Sequence, residues 1–422
     1  MILSFLYNMA MWLFAVGVRI AALFNPKARL FVGGRKQQFR RLREKIPADA
    51  LIAWFHCASL GEFEQGRPLM EAYRRKYPQH KILLSFFSPS GYEVRKNYEG
   101  ADYVCYLPVD TPRNARRFLK TVRPRVAVFI KYEFWHNYLY RLKKQQIPTY
   151  IVSAIFRPSQ VFFKWYGGFF RNMLKVFSRL FVQDEVSANL LKKINIKQVE
   201  IAGDTRFDRV WAHTRQPTDL PILQAFTEKA LTLVVGSSWA SDEERLAEAM
   251  KVLPDNVQMI IAPHEVHEEH IAHIERLFEQ YKPLRYTKTI NTEKITLNSQ
   301  LSILNSSRVL IIDAIGLLLS AYSYGQIAYV GGGFDADNGV HNTIEPAAYG
   351  LPVVFGPVYQ KYAEAVDLAK NGGGKSVKDT AELIACLQEW TLDPEKRQRA
   401  GQISLAYVET SRGATERAIY YL

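Results

Sequence analysis

The feature that most constrains this 422-residue chain is an alternation of short apolar runs with amphipathic helical stretches, begun near Asp49 and restarted after one break. Such alternation is the pattern of βαβ units and predicts parallel sheets with helices on both faces. In the first half the strand-like runs are Leu51–His56, Lys81–Phe86, Tyr103–Leu107, Val126–Ile130, Thr149–Val152 and Leu180–Val182, with Val199–Ala202 as an edge strand. Phe63–Tyr77 and Asn114–Val122 read as helices between them. The polar, proline-containing Thr214–Pro221 then reads as a linker. Leu231–Val235, Val257–Ala262, Val309–Ile312, Gln326–Val330 and Pro352–Phe355 repeat the pattern beyond it. The expected fold is α/β, with two doubly wound, Rossmann-like domains: residues 49–213, a linker 214–225, and residues 226–422, whose last helix is a candidate to cross back. Ligands of doubly wound sheets sit off the C-terminal ends of the strands, so the expected site is the cleft between the two domains.

Residues 1–24 carry a single charge, Arg19. At about 1.5 Å per residue such a helix roughly matches a hydrocarbon core of about 30 Å, so it is read as a membrane anchor, spanning or interfacial. Residues 25–48 form a polybasic connector, with Lys27, Arg29, Arg35, Lys36, Arg40, Arg41, Arg43 and Lys45 against one acid, Glu44. Cations directly after an apolar run fit a cytoplasmic body on an anionic membrane. A cleaved signal peptide has its charge before the apolar run and a small-residue cleavage site after it, and neither is present. The competing view is a buried core helix with a solvated basic face. Residues 1–210 hold 36 Lys and Arg against 15 Asp and Glu, a net +21; residues 211–422 hold 19 against 26, a net −7. Only the first half is suited to an anionic partner, and the apolar N-terminus selects a membrane over nucleic acid. Three widely spaced cysteines exclude a disulfide framework and a cysteine-based zinc module.

Chemistry-bearing motifs follow the strands. Ala58-Ser59-Leu60-Gly61-Glu62 opens a helix after the first strand; Ser59 and Gly61 suit a tight turn that could meet an anion, and Glu62 could take a proton from a hydroxyl. The plainer role for Glu62 is to complement the helix dipole. Tyr329-Val330-Gly331-Gly332-Gly333-Phe334 followed by Gly339-Val340-His341-Asn342-Thr343-Ile344-Glu345-Pro346 is the densest cluster. Bare glycine backbone and a helix start could hold a phosphate there, with Glu345 accepting ribose hydroxyls. Glu133 follows Val126–Ile130, and Arg206 lies in Gly203-Asp204-Thr205-Arg206-Phe207-Asp208, where it could meet an anion or pair with Asp204 or Asp208. Gly372-Gly373-Gly374-Lys375-Ser376 imitates a P-loop but lacks the first glycine and the strand, and reads as a helix end and turn. The histidines from His264 to His273 are spaced by three, which does not suit a metal site, and are expected to be exposed; His264, at a strand end, is expected to face the cleft.

This combination resembles the lipid A Kdo transferases (3-deoxy-D-manno-octulosonic acid transferases) of Gram-negative bacteria: two α/β halves, an apolar N-terminus, S-x-G-E early and G-G-G-F…H-N-x-x-E-P late. The resemblance covers nearly the whole chain. It implies a GT-B inverting glycosyltransferase of lipopolysaccharide biosynthesis, with CMP-Kdo as donor and a lipid A precursor (lipid IVA) as acceptor. It further implies a body at the cytoplasmic face of the inner membrane among anionic lipids, with no nucleic-acid partner, no cofactor and no required metal. By position Glu62 matches the general base, and Glu133 and Arg206 match transition-state stabilisers. Donor contacts fall on Pro263 and His264, on Ala314, Ile315 and Gly316, and on Asn342, Thr343, Ile344 and Glu345, to which the glycine-rich cluster read above adds Gly332, Gly333 and His341. Ser59 and Gly61 fall on the acceptor side. The chain departs from the family with His264 for Arg, Arg206 for Lys, and Asp313-Ala314-Ile315-Gly316-Leu317-Leu318 for D-T-M-G-E-L. The alternatives are a GT-B enzyme with a UDP-sugar donor, whether transferase or epimerase, and a non-catalytic membrane-surface protein.

Overall fold

The computed structural model describes residues 2–228, 230–290, 304, 306–335, 337 and 339–422. Two compact units result: Met1–Arg209 with Arg412–Leu422, and Val210–Ser411.

The first unit is built on a seven-stranded parallel sheet in the order β3-β2-β1-β4-β5-β6-β7. Its strands are β1 (Ile52–Cys57), β2 (Lys81–Phe86), β3 (Tyr103–Tyr106), β4 (Pro124–Ile130), β5 (Thr149–Ala154), β6 (Arg179–Val182) and β7 (Val199–Ile201). Central β1 is buried along its whole length, as a strand covered by helices on both faces must be. Trp54 packs against Phe118, Phe129 and Tyr138 on one face, and Phe55 against Tyr73 on the other. Helix starts follow local chemistry: Ser88 and Thr111 cap helices whose next residue is proline, and Asp184 caps another.

Three helices precede the sheet: α1 (Ile2–Ala21), α2 (Pro26–Gly34) and α3 (Gln38–Lys45). Among the described residues α1 is the one helix long and apolar enough to cross a membrane, and none of its residues is fully buried. The polybasic connector is not uniformly free. Arg35 folds onto the body, donating to the carbonyls of Leu107 and Phe87, with its guanidinium 3.4 Å from the Phe31 ring centroid. Burial pulls it down to about 9. At the far end of the chain, helix Ala414–Tyr421 belongs to this unit. The Asp208 carboxylate accepts the N–H groups of Gly413 and Thr415, both at 2.6 Å, and Lys76 donates to the Ile419 carbonyl.

The second unit has a seven-stranded parallel sheet in the order β10-β11-β9-β8-β12-β13-β14. The strands are β8 (Leu231–Ser238), β9 (Val257–Pro263), β10 (Leu284–Arg285), β11 (Val309–Ile311), β12 (Ile327–Val330), β13 (Val353–Phe355) and β14 (Gly374–Ser376). The two edge strands escape the sequence pattern because neither is an apolar run. In the P-loop lookalike, Gly372 ends a helix with φ +87°, but Gly374–Ser376 continues as β14 against β13 instead of a turn. The segment read as a linker begins at the end of helix Thr205–Thr214 and runs into helix Pro221–Thr227. It is fastened to its unit by Thr218 N–H on Ser320 Oγ and Leu220 N–H on the Tyr324 hydroxyl. The histidine run is also less exposed than expected, since His270 Nε2 pairs at 2.9 Å with the fully buried Glu243.

Candidate functional site

In the first unit the C-terminal ends of β1 and β4, neighbours at the middle of the sheet, present the two acids. Glu62 lies in the first turn of α4 (Leu60–Lys76), and its carboxylate accepts the N–H groups of Ala58 and Ser59. The dipole-complementing role is thus real, and it also fixes the carboxylate at the strand end. Burial pushes Glu62 up from 4.5 to about 7; the negative charge of Glu133 adds to this, while the two N–H donors and Lys131 oppose it. Gly61 sits inside α4 with open space where a side chain would project, so the tight turn expected of it is absent.

Glu133 is held more firmly. Its Oε2 accepts from His56 Nε2 at 2.8 Å and from Trp135 Nε1 at 2.6 Å. His56 comes from the buried C-terminal end of β1 and rests its other nitrogen on Ser85. His56 Nδ1 lies 3.0 Å from the Ser85 carbonyl oxygen and 2.9 Å from its hydroxyl, contacts that hold the ring in place. Lys131, between β4 and Glu133, has φ +70°. Left-handed backbone costs an ordinary residue about 1–2 kcal/mol and persists where neighbouring structure enforces it. Arg206, at the start of helix Thr205–Thr214, makes the first of its two expected pairings: Nε and the backbone N–H both donate to Asp204. Asp208 is taken up by Gly413 and Thr415.

In the second unit Pro263 ends β9, and His264 is tied by its N–H to the Ser238 carbonyl. The His264 ring stacks across both Trp239 and His341, at centroid distances of 4.6 and 4.4 Å. Trp239 Nε1 donates to His341 Nε2, and burial, aided by His264, pulls His341 down to about 4, so it stays neutral and able to accept. The glycine backbone after β12 is not bare, as the sequence suggested. A Cβ on Gly333 would lie 2.6 Å from Gly356 N, and one on Gly332 (φ +87°) 2.3 Å from the Gly339 carbonyl oxygen. These glycines let protein backbone pass close by. The Asp242 carboxylate then organises the loop by accepting Gly332 N–H, Trp239 N–H and the Tyr329 hydroxyl.

Asn342, Thr343, Ile344 and Glu345 follow at the start of the short helix Ile344–Ala348. Asn342 Oδ1 accepts Ile344 N–H, and its amide donates to Glu345 Oε1 at 2.9 Å. The Thr343 hydroxyl is buried with no hydrogen-bond partner, an uncommon state that a bound polar group would relieve. Ala314, Ile315 and Gly316 form a turn after β11, with Gly316 at φ +93° and Ile315 91% exposed. Neighbouring Asp313 is fixed by the Thr287 N–H and hydroxyl. In sheet order β9 and β8 separate this turn from β12. Among the described residues no cluster of three His, Cys, Asp or Glu suited to a metal ion occurs.

The sequence reading missed His56, Trp135, Asp242 and Trp239. A His in an otherwise buried apolar strand was a usable signal, because a buried polar ring must find a partner.

Comparison with known proteins agrees with this layout. A family model described as 3-Deoxy-D-manno-octulosonic-acid transferase (kdotransferase) matches residues 32–209. The 3-deoxy-D-manno-octulosonic acid transferase of Aquifex aeolicus is 27% identical over 365 residues, covering 83% of this chain and 91% of that protein. That of Haemophilus influenzae is 24% identical over 378 residues, covering 87% and 85%. Among solved structures, UDP-GlcNAc 2-epimerase from Neisseria meningitidis matches with TM-score 0.59 at 16% identity, covering 88% of this chain and 98% of that one. MurG of Acinetobacter baumannii matches with TM-score 0.51 at 12% identity, covering 88% and 98%. These structural likenesses show the fold alone, which is GT-B. Carrying that fold, the chain is matched over residues 32–209 by the family model and along most of its length by 3-deoxy-D-manno-octulosonic acid transferases, the glycosyltransferases it resembles.

Proposed function

We propose that the chain moves Kdo from CMP-Kdo to a hydroxyl of a lipid A precursor, with inversion and with Glu62 as general base. The observation that supports this most is the setting of Glu62: a carboxyl fixed at a strand end and pushed up to about 7, poised to exchange a proton near neutral pH. The ionised carboxylate takes the acceptor hydroxyl proton. The freed oxygen attacks the Kdo anomeric carbon, the bond from that carbon to the phosphate oxygen breaks, and CMP leaves with the electron pair. One displacement inverts the configuration. Glu133, immobilised by His56 and Trp135, and Arg206, aligned by Asp204, steady the charge that develops as the bond breaks.

The donor side is assigned to the second unit. The orphaned Thr343 hydroxyl, the Asn342–Glu345 pair and the Trp239–His264–His341 stack offer polar and aromatic groups for a nucleotide, and Ala314–Gly316 flank it. At His264 the nucleotide is offered a stacked ring instead of the fixed cation that the family resemblance leads one to expect. The scheme requires no metal. The body is held at the cytoplasmic face of the inner membrane through α1 and the basic connector, which suits an acceptor whose acyl chains stay in the bilayer. Thermal shifts with CMP, UMP and UDP test the donor: the reading expects CMP to stabilise the protein most. A preference for UDP favours the UDP-sugar alternative instead.

A further inference from the structure

We infer that α1 lies in the plane of the membrane surface, docked lengthwise on the first unit, and does not cross the bilayer; the inference deepens the membrane reading above and rests on it. Half-buried positions run along α1 and just past its end: Ser4, Asn8, Met11, Ala15, Val18 and then Ala22 recur every three or four residues, a single stripe turned to the protein. Near the N-terminus the stripe is polar and bonded. The Tyr7 hydroxyl donates to Asp110 Oδ2 at 2.7 Å, the Asn137 amide donates to Asn8 Oδ1 at 2.9 Å, and Ser4 Oγ lies 3.0 Å from His136 Nε2. Farther along, the Phe14 ring meets Phe31 and Phe87 at about 6 Å. The other side of the helix shows large apolar groups to the outside, among them Ile2, Phe5, Trp12, Leu13 and Ile20.

The length of the helix makes the two arrangements exclusive. A hydrocarbon core of about 30 Å needs about 20 helical residues, which is all of α1. A crossing helix therefore carries Ser4, Tyr7 and Asn8 to the far side, away from Asp110, His136 and Asn137, and strands those polar groups in lipid. An in-plane helix keeps every one of these bonds and sinks only its outward face by about 5–10 Å.

The occupant of that face is an anionic bilayer, because charge and aromatic anchors surround it. Exposed Lys27, Arg29, Lys36, Arg40 and Lys45 follow α1 directly. Trp165 (90% exposed) and Tyr166 lead into the helix Gly168–Leu174, whose Phe169 ring lies 6.1 Å from that of Tyr7. Aromatic side chains beside cations are what an interface of headgroups and acyl chains retains. The docking also reaches the candidate site: Asp110, which accepts from Tyr7, accepts the first-turn N–H groups of Asn137 and Tyr138, just after Trp135 and Glu133.

The test uses the full chain, whose three native cysteines are buried. One variant carries a cysteine-bearing extension ahead of Met1 and another Lys36→Cys, each treated with a membrane-impermeant maleimide in sealed inverted inner-membrane vesicles and in spheroplasts. The in-plane helix predicts labelling of both from the cytoplasmic side. It also predicts that Tyr7→Phe, which leaves the helix no less apolar, lowers the unfolding midpoint by a few degrees. Labelling of the extension from the opposite side alone, or a silent Tyr7→Phe, overturns the inference while the membrane reading stands. Failure to float with phosphatidylethanolamine–phosphatidylglycerol vesicles defeats the membrane reading itself. A lipid-independent dimer abolished by Trp12→Glu assigns the face to a second copy and also overturns it.

Discussion

A base kept half-buried beside a second acid burdens the folded protein, and Glu62→Gln measures that burden. Moving the ionisation midpoint of Glu62 from 4.5 to about 7 costs the folded state up to about 3 kcal/mol once the group is charged, at about 1.4 kcal/mol per pH unit. The folded value is raised, so the stability associated with this group is complete below the unfolded value and is lost as pH climbs through about 7. A glutamine carries no charge to desolvate, yet its carbonyl oxygen can still accept the Ala58 and Ser59 N–H groups. Glu62→Gln is therefore expected to be the more stable protein by up to about 3 kcal/mol at pH 8 and by less than about 1 kcal/mol at pH 5. For a unit of this size that is roughly a 5–10 °C rise at pH 8, read by calorimetry of variant and parent side by side. Glu62→Ala also loses both cap bonds, at about 1 kcal/mol each, and gains correspondingly less. A glutamine variant no more stable than the parent at pH 8, or an advantage equal at both pH values, refutes the account of why this acid titrates near neutrality.

Other consequences are as direct. Glu133→Gln removes a charge that raises Glu62, so the acid limb of the kcat/KM profile is expected to move to lower pH even as the maximum falls; an unmoved limb contradicts the pairing. His56→Ala strips a bond from Glu133 without touching Glu62, and is expected to lower kcat about 10-fold or more with little change in KM for the donor. Gly333→Ala forces a Cβ within 2.6 Å of Gly356 N, and calorimetric titration is expected to show CMP binding weakened about 10-fold or more in a protein whose first unit still melts normally.

The two parallel sheets could be read from the sequence because buried strands such as Ile52–Cys57 and Val257–Pro263 are nearly continuous apolar runs. Leu284–Arg285 and Gly374–Ser376 could not, since edge strands need only backbone pairing and carry no apolar signature. Glu62 was visible from its place after the first strand. Its neighbours were not: the Glu133–His56 contact joins residues 77 apart, and no local pattern reports such a pairing. The glycine run was seen, but its strict need came from Gly356 and Gly339 approaching it, which only the folded chain reveals. The docking of α1 was likewise hidden, because Ser4, Tyr7 and Asn8 look like incidental polar residues until Asp110, His136 and Asn137 are found opposite them.

The central claim is that Glu62 drives transfer of Kdo to a lipid acceptor. Mass spectrometry of a lipid A precursor incubated with the protein and a CMP-Kdo-generating system tests it most directly. The parent protein should add Kdo to the lipid, and Glu62→Gln should add none while still binding CMP. Kdo-bearing lipid formed at the parental rate by Glu62→Gln, or none formed by the parent, contradicts it.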